Sequence, residues 1–257
     1  MHDYAILAQG PYRADQVTIS YMPGARRITR PDDQVDAGRI WQDALDQARR
    51  VGTSLYDGQL FRLMSFEPHP EQLCLRLGDT SYREYVVTRS PEYCRGRAKD
   101  ELAEPLAVCT AIITREDRVL VERRQRSEVG IGRYHVIGGF LERDKDIGPL
   151  GPDPFQAMAR EIREEIDLEI APRDFVVLGL VYDRRTPHPE LCLTVSTQLS
   201  FAEVVRRVPR ESEVLQIESI DAKPTALSSF LAANHGNLTP TGAACLALYA
   251  AWREAGN

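Results

Sequence analysis

The stretch Gly138-Gly139-Phe140-Leu141-Glu142, followed after the segment 143–152 by Asp153-Pro154-Phe155-Gln156-Ala157-Met158-Ala159-Arg160-Glu161-Ile162-Arg163-Glu164-Glu165-Ile166-Asp167-Leu168, decides how this chain is read. Asp153 suits a helix N-cap and Pro154 the first helical position. Phe155, Ala159, Ile162 and Ile166 repeat at helical spacing, so one face of this helix should pack on a sheet. Glu161, Glu164 and Glu165 stand at i, i+3 and i+4. They share a different face, within an arc of roughly 100°. Three carboxylates so placed repel one another. They become favourable when they hold a hard cation, and magnesium, with its oxygen ligands and retained waters, suits them together with a substrate diphosphate. A solvated acidic face, relieved by Arg160 and Arg163, is the competing reading.

Working outward, Tyr134 to Ile137 reads as a strand closed by Gly138-Gly139. Ala107 to Thr114 and Val119 to Val121 read as strands joined by a turn at Arg115-Glu116-Asp117. Beyond the helix, Phe175 to Tyr182 and Leu191 to Leu199 are strand-like, Val214 to Ile217 is a further candidate, and Thr239-Pro240 opens a last helix. In the N-terminal part, Ala5 to Ala8 and Val17 to Tyr21 read as strands, and Asp36 to Arg50 as a helix ended by Gly52. Leu60 to Phe66 and Leu73 to Leu77 form a hairpin-like pair, followed by a polar segment from Gly78 to Tyr85. The charged run from Cys94 to Asp100 reads as a linker. The expected organisation is an N-terminal α+β unit over residues 1–98 and a larger α/β unit over 99–257.

These residues carry a family resemblance. The segment resembles the Nudix box, G-x5-E-x7-R-E-U-x-E-E-x-G-U with U aliphatic. Arg160 to Leu168 matches its second half except at Asp167, where the box has Gly. Gly139 resembles the opening Gly, the loop after it is longer, and the mid-box Glu has no clean counterpart; Glu142 and Asp153 are the nearest acids. Leu73 to Tyr85, and Val119 to Ser127, resemble segments of the Nudix subfamily that hydrolyses UDP-glucose and UDP-galactose, whose box is also stretched. The likeness runs from about Leu55 to Ile220.

The resemblance implies an α/β/α sandwich with a mixed sheet. It implies a Mg2+-dependent hydrolase, with Mn2+ as a possible substitute, that cleaves the diphosphate of a nucleotide sugar. Glu161, Glu164 and Glu165 would bind the metal, and Arg160 would orient a metal-binding glutamate. A further carboxylate outside the box is expected at Glu190, Glu211 or Glu213, each of which also reads as a plain surface acid. Arg124 and Arg126 are candidate phosphate contacts, since Arg forks onto phosphate oxygens, though alternation along a strand turns at least one of Arg123, Arg124 and Arg126 to solvent. Tyr82 and Arg83 could contact base or phosphate, or Tyr82 could pack between the two units. His135 reads as a half-buried strand residue and His188 as an exposed loop residue. An ADP-ribose or dinucleotide substrate is the alternative within the enzyme class. A non-catalytic Nudix ligand sensor is the alternative outside it, disfavoured because all three box glutamates are present.

The bulk properties agree with a small-molecule enzyme. The 257 residues are 43% hydrophobic and 27% charged, with a net charge of -6. That balance argues against nucleic acid as partner. No apolar run is long enough for a membrane span, and no leader is evident, so a cytoplasmic location is expected. Cys74, Cys94, Cys109, Cys192 and Cys245 form no CxxC pair and read as free buried thiols, with a disulfide or zinc site as the other reading. Monomer and homodimer both remain open.

Overall fold

A computed structural model describes residues 3–30, 33–50, 52–124, 132–209 and 216–256, without the side chains of residues 34 and 35. In chain order the elements are β1 (Tyr4–Arg13), β2 (Val17–Tyr21), α1 (Asp33–Arg50), β3 (Gln59–His69), β4 (Gln72–Ser81), α2 (Tyr82–Thr88), α3 (Pro91–Cys94), β5 (Ala107–Ile113), β6 (Arg118–Arg123), β7 (Tyr134–His135), β8 (Ile137–Phe140), β9 (Ile147–Gly148), β10 (Gly151–Pro152), α4 (Pro154–Ile166), β11 (Val176–Asp183), β12 (His188–Ser196), α5 (Phe201–Arg207), β13 (Ile217–Asp221), α6 (Pro224–Ala233) and α7 (Pro240–Glu254).

The large sheet is mixed. Its order is β1-β11-β12-β5-β6-β13, with β7 on β6 and β8 on β5. Strands β12 and β5 run parallel, placing Cys192 beside Cys109, and the other pairings are antiparallel. Side-chain alternation along β5 explains why both faces are covered. Val108 and Ile112 face one apolar core with Phe155, Met158, Ile162 and Ile166 of α4. Cys109, Ala111 and Ile113 face the other, with Cys245, Leu246, Leu248 and Tyr249 of α7. Each large apolar side chain so buried contributes about 2 kcal/mol. The result is the expected helix–sheet–helix layering.

A second sheet, β2-β4-β3, packs its Leu63, Leu73, Leu75 and Leu77 into the α4-side core. Backbone hydrogen bonds from Phe61 N to Leu141 O (3.1 Å) and Leu106 N to Phe61 O (2.8 Å) tie it to the segments flanking β5 and β8. Strand β1 instead pairs with β11, so residues 1–98 supply strands to both sheets.

Several local expectations change. The polar segment after Leu77 continues as strand to Ser81 and then turns into α2, because the Ser81 hydroxyl accepts from Glu84 N and caps the helix. Asp79 within it is buried, accepting from the Tyr21 hydroxyl and Gly24 N at 2.8 Å each. The run 94–100 is not a free linker: Arg97 reaches the buried Asp33 at 2.8 Å. Helices α5 and α6 lie in stretches to which no element was assigned from the sequence. Asp167, where the box has glycine, adopts φ 50° and ψ 46° as the C-cap of α4. This left-handed geometry favours glycine, and aspartate is among the side chains that tolerate it.

Candidate active site

Helix α4 begins as its sequence dictates. The Asp153 carboxylate accepts from Phe155 N at 2.9 Å and Gln156 N at 3.0 Å, which commits Asp153 to capping. At the middle of the helix the buried Arg160 organises the acids. Its Nε and Nη2 donate to both oxygens of Asp146, at 2.9 and 2.8 Å. Its Nη1 donates to Glu161 at 2.8 Å and Glu164 at 3.2 Å. Asp146 is wholly buried and also accepts from Glu142 N at 2.7 Å. Asp146 was not singled out by the sequence. It lies in the segment that interrupts the box, and the only signal for it was that a buried arginine needs a buried anion.

Glu161 packs against Gly139. A Cβ at that glycine would stand 2.2 Å from a Glu161 carboxylate oxygen, so this close approach requires a residue without a side chain. Burial first, then the charge of Glu164 and Glu142, raise the Glu161 pKa to about 7 against the pull of Arg160. Glu164 is half exposed and Glu165 half-buried. The α4 donor set is all oxygen, the chemistry of a hard divalent cation that keeps part of its water shell. The carboxylates are not drawn in around one point. Among the described residues, the ligand groups that close to within 4.8 Å of one another are the thiols of Cys109, Cys192 and Cys245. They offer three ligands where a structural zinc takes four.

Beside Gly138, Gly139 and Phe140 opens a cavity of about 520 Å³. Four arginines line it: Arg89, Arg124, Arg133 and Arg185. Tyr82, Tyr85 and Phe140 form an aromatic wall, with the Tyr82 and Tyr85 rings 6.2 and 5.1 Å from Phe140. On the floor lie His135, His188 and Glu190, all buried. His188 Nε2 donates to Glu190 at 3.2 Å, and its Nδ1 faces the Thr186 carbonyl and, at 3.4 Å, the Tyr85 hydroxyl. Burial opposes charge on both partners, but the histidine, beside Tyr85, Glu190 and Asp183, is held above its usual pKa, and the glutamate, beside His188 and His135, below. They form a buried ion pair. His135 behaves oppositely. Burial, reinforced by the Arg124 charge, lowers its pKa to about 3 and keeps it neutral, with Nδ1 2.6 Å from the Thr239 hydroxyl.

Of the residues expected from sequence, Glu161, Glu164, Glu165 and Arg160 share α4 beside Gly139, while Tyr82, Arg124 and Glu190 line the neighbouring cavity. Arg83 does not join them; it lines a separate cavity of about 550 Å³ with Arg26 and Arg27, because α2 turns it away from Tyr82. Arg126, Glu211 and Glu213 lie outside the described residues. His188 is corrected from an exposed loop to a buried position on β12, where it faces Asp183 across the β11 pairing. Arg89, Arg133, Arg185 and Thr239 were missed; they come from distant segments with no shared spacing.

A helix anchored by one buried arginine and packed on a glycine of the adjoining strand is the arrangement that the resemblance to the Nudix box implied. The human uridine diphosphate glucose pyrophosphatase NUDT22 is 29% identical over 164 residues, covering 58% of this chain and 52% of that one. The chain thus spans about half the length of this curated relative. Among solved structures, it resembles the NUDIX domain of Shewanella oneidensis NrtR complexed with ADP ribose (17% identity, TM-score 0.43, 65% of this chain and 97% of that one). It also resembles the MutT protein from Methanosarcina mazei Go1 (18% identity, TM-score 0.43, 60% and 96%). No family model matches the chain. Among the described residues, no helix is long and apolar enough to cross a membrane.

Proposed function

We propose that this protein is a divalent-cation-dependent hydrolase of a nucleoside-diphosphate-linked small molecule, with UDP-glucose or UDP-galactose as its first candidate substrate. The observation that carries the reading is the apposition of the Arg160-anchored acids of α4, across Gly139, to a cavity rimmed by four arginines. Oxygen ligands suit a magnesium ion, and guanidinium groups suit diphosphate oxygens. The curated relative's name supports the uridine sugar as the compound to test first.

Glu161, Glu164 and Glu165 would hold the cation, which when bound neutralises phosphate charge and lowers the pKa of a bound water. Arg160 fixes the orientation of Glu161 and Glu164 and is itself held by Asp146. Arg124, Arg133, Arg89 and Arg185 would bind and orient the diphosphate, while Phe140, Tyr82 and Tyr85 shield it from water and offer stacking faces. Phosphoryl transfer asks little covalent chemistry of the protein, so positioning and charge neutralisation are the main contributions of these residues.

The test is release of UMP from UDP-glucose with and without Mg2+, beside ADP-ribose. Cleavage of the uridine compound in Mg2+ supports the reading. Cleavage of ADP-ribose alone would keep the reaction and remove the proposed substrate. Inertness toward both would count against catalysis and for a ligand sensor.

A further inference from the structure

The floor of the cavity is chemically unlike its rim. Four guanidinium groups line the rim, whereas the floor carries Glu190, ionised in its pair with His188, and a neutral His135. His188 is already paired with Glu190 and His135 is neutral, so the floor suits an uncharged, hydrogen-bonding part of a ligand better than a phosphate.

The atoms specify the partner further. One Glu190 oxygen is taken by His188. The other, Oε1, lies 3.8 Å from His135 Nε2, too far for a hydrogen bond, and the carboxylate, which also has the Cys109 thiol beside it, keeps lone pairs for a further donor. The Thr239 hydroxyl lies 2.6 Å from His135 Nδ1 and accepts from Gly242 N at 3.2 Å. With Nδ1 accepting from that hydroxyl, Nε2 carries the proton and offers it toward the cavity beside Oε1. Gly242 makes room for the ring there, because a Cβ at that position would fall 2.7 Å from Nδ1. A single oxygen can lie at about 2.8 Å from both Oε1 and Nε2, and an alcohol there accepts from the imidazole while donating to the carboxylate.

We propose that Glu190 and His135 form a hydroxyl-recognising corner that selects a ligand with a polyol group beside its diphosphate. The proposal rests on the nucleotide-sugar reading above and deepens it. The hydroxyl can come from the hexose or from the ribose of a nucleoside diphosphate hexose, which share this chemistry. The corner makes Glu190 a binding and specificity residue, distinct in role from the α4 glutamates.

The experiment compares UDP-glucose with analogues lacking one hydroxyl each, on the hexose or on the ribose. Turnover is followed in Mg2+ and binding by calorimetry without metal, in the wild type, Glu190→Gln and His135→Gln. A hydrogen bond to a charged group predicts that one analogue loses about 10-fold to 100-fold in affinity and kcat/KM in the wild type. That penalty should shrink to within about 3-fold in either variant, with the analogue's position assigning hexose or ribose. Thermal melting identifies a variant that fails to fold, and the other variant then decides. Equal handling of every analogue by the wild type, or an unchanged penalty in both folded variants, overturns the corner. Selective binding without turnover of any analogue would leave the corner standing while removing the hydrolase reading.

Discussion

Two acidic sites lie near each other in this molecule and are built on opposite plans. On α4, Glu161, Glu164 and Glu165 come from neighbouring turns of one helix, Glu164 is half exposed while Glu161 packs against Gly139, and a single arginine restrains Glu161 and Glu164. On the cavity floor, Glu190 is buried among residues from β7, β12 and the start of α7, and its charge is matched by His188. The first arrangement leaves carboxylate charge incompletely compensated, which is what a cation site needs. The second is internally neutralised and rigid, which suits recognition of an uncharged group. Residue type alone does not set a carboxylate's role; burial and the number of fixed partners do.

The contrast is broken most severely at its shared support. Asp146→Ala leaves Arg160 buried without its bidentate partner, and urea unfolding should show a loss of about 3–5 kcal/mol. A loss under about 1 kcal/mol would mean that Arg160 finds water or another acid. Next comes Glu165→Gln, and with it Glu161→Gln: turnover in Mg2+ should fall about 100-fold to 1,000-fold while the melting temperature stays near that of the wild type. Unfolding of these variants would instead assign the α4 acids a structural role.

Acidity sharpens the same difference. Glu161, with its pKa raised to about 7, takes up a proton more readily in the folded protein than in the unfolded chain. Its protonated form therefore stabilises the metal-free fold, an effect complete below the ordinary value of 4.5 and lost as pH rises through about 7. A cation competes with that proton, so Mg2+ affinity measured by calorimetry should decline as pH falls below about 7. His135, held near 3, has the opposite sign: its neutral form supports the fold above 6.5, and that support is lost as pH falls toward about 3. The smallest change expected is at the end of α4. Asp167→Gly relieves a left-handed backbone and should alter stability by no more than about 1 kcal/mol, checked by denaturant midpoint.

The two sites also differ in how far sequence discloses them. The α4 acids were legible because helical periodicity converts spacing into a shared face, and the cap at Asp153 and Pro154 fixed where the helix starts. The strands flanking it were legible from apolar runs, and the layered α/β class followed. Asp146 was not legible, since its meeting with Arg160 depends on the path of the interrupting segment. Nor was the floor: His135, Glu190 and Thr239 stand far apart in the chain, and only the parallel pairing of β12 with β5 and the placement of α7 beside β7 bring them together. Tyr82 and Arg83 show the local limit of such reading. Adjacent in sequence, they line different cavities once Ser81 starts a helix.

The central claim, that the α4 carboxylates hold a divalent cation, is met most directly by calorimetric titration of Mg2+ into the wild type and Glu161→Gln at a pH well above 7, without substrate. The account predicts saturable binding to the wild type, weakened more than about 10-fold in the variant with its melting curve intact. Equal affinity in the two proteins, or no binding to the wild type in the presence of a nonhydrolysable nucleoside diphosphate, would contradict it.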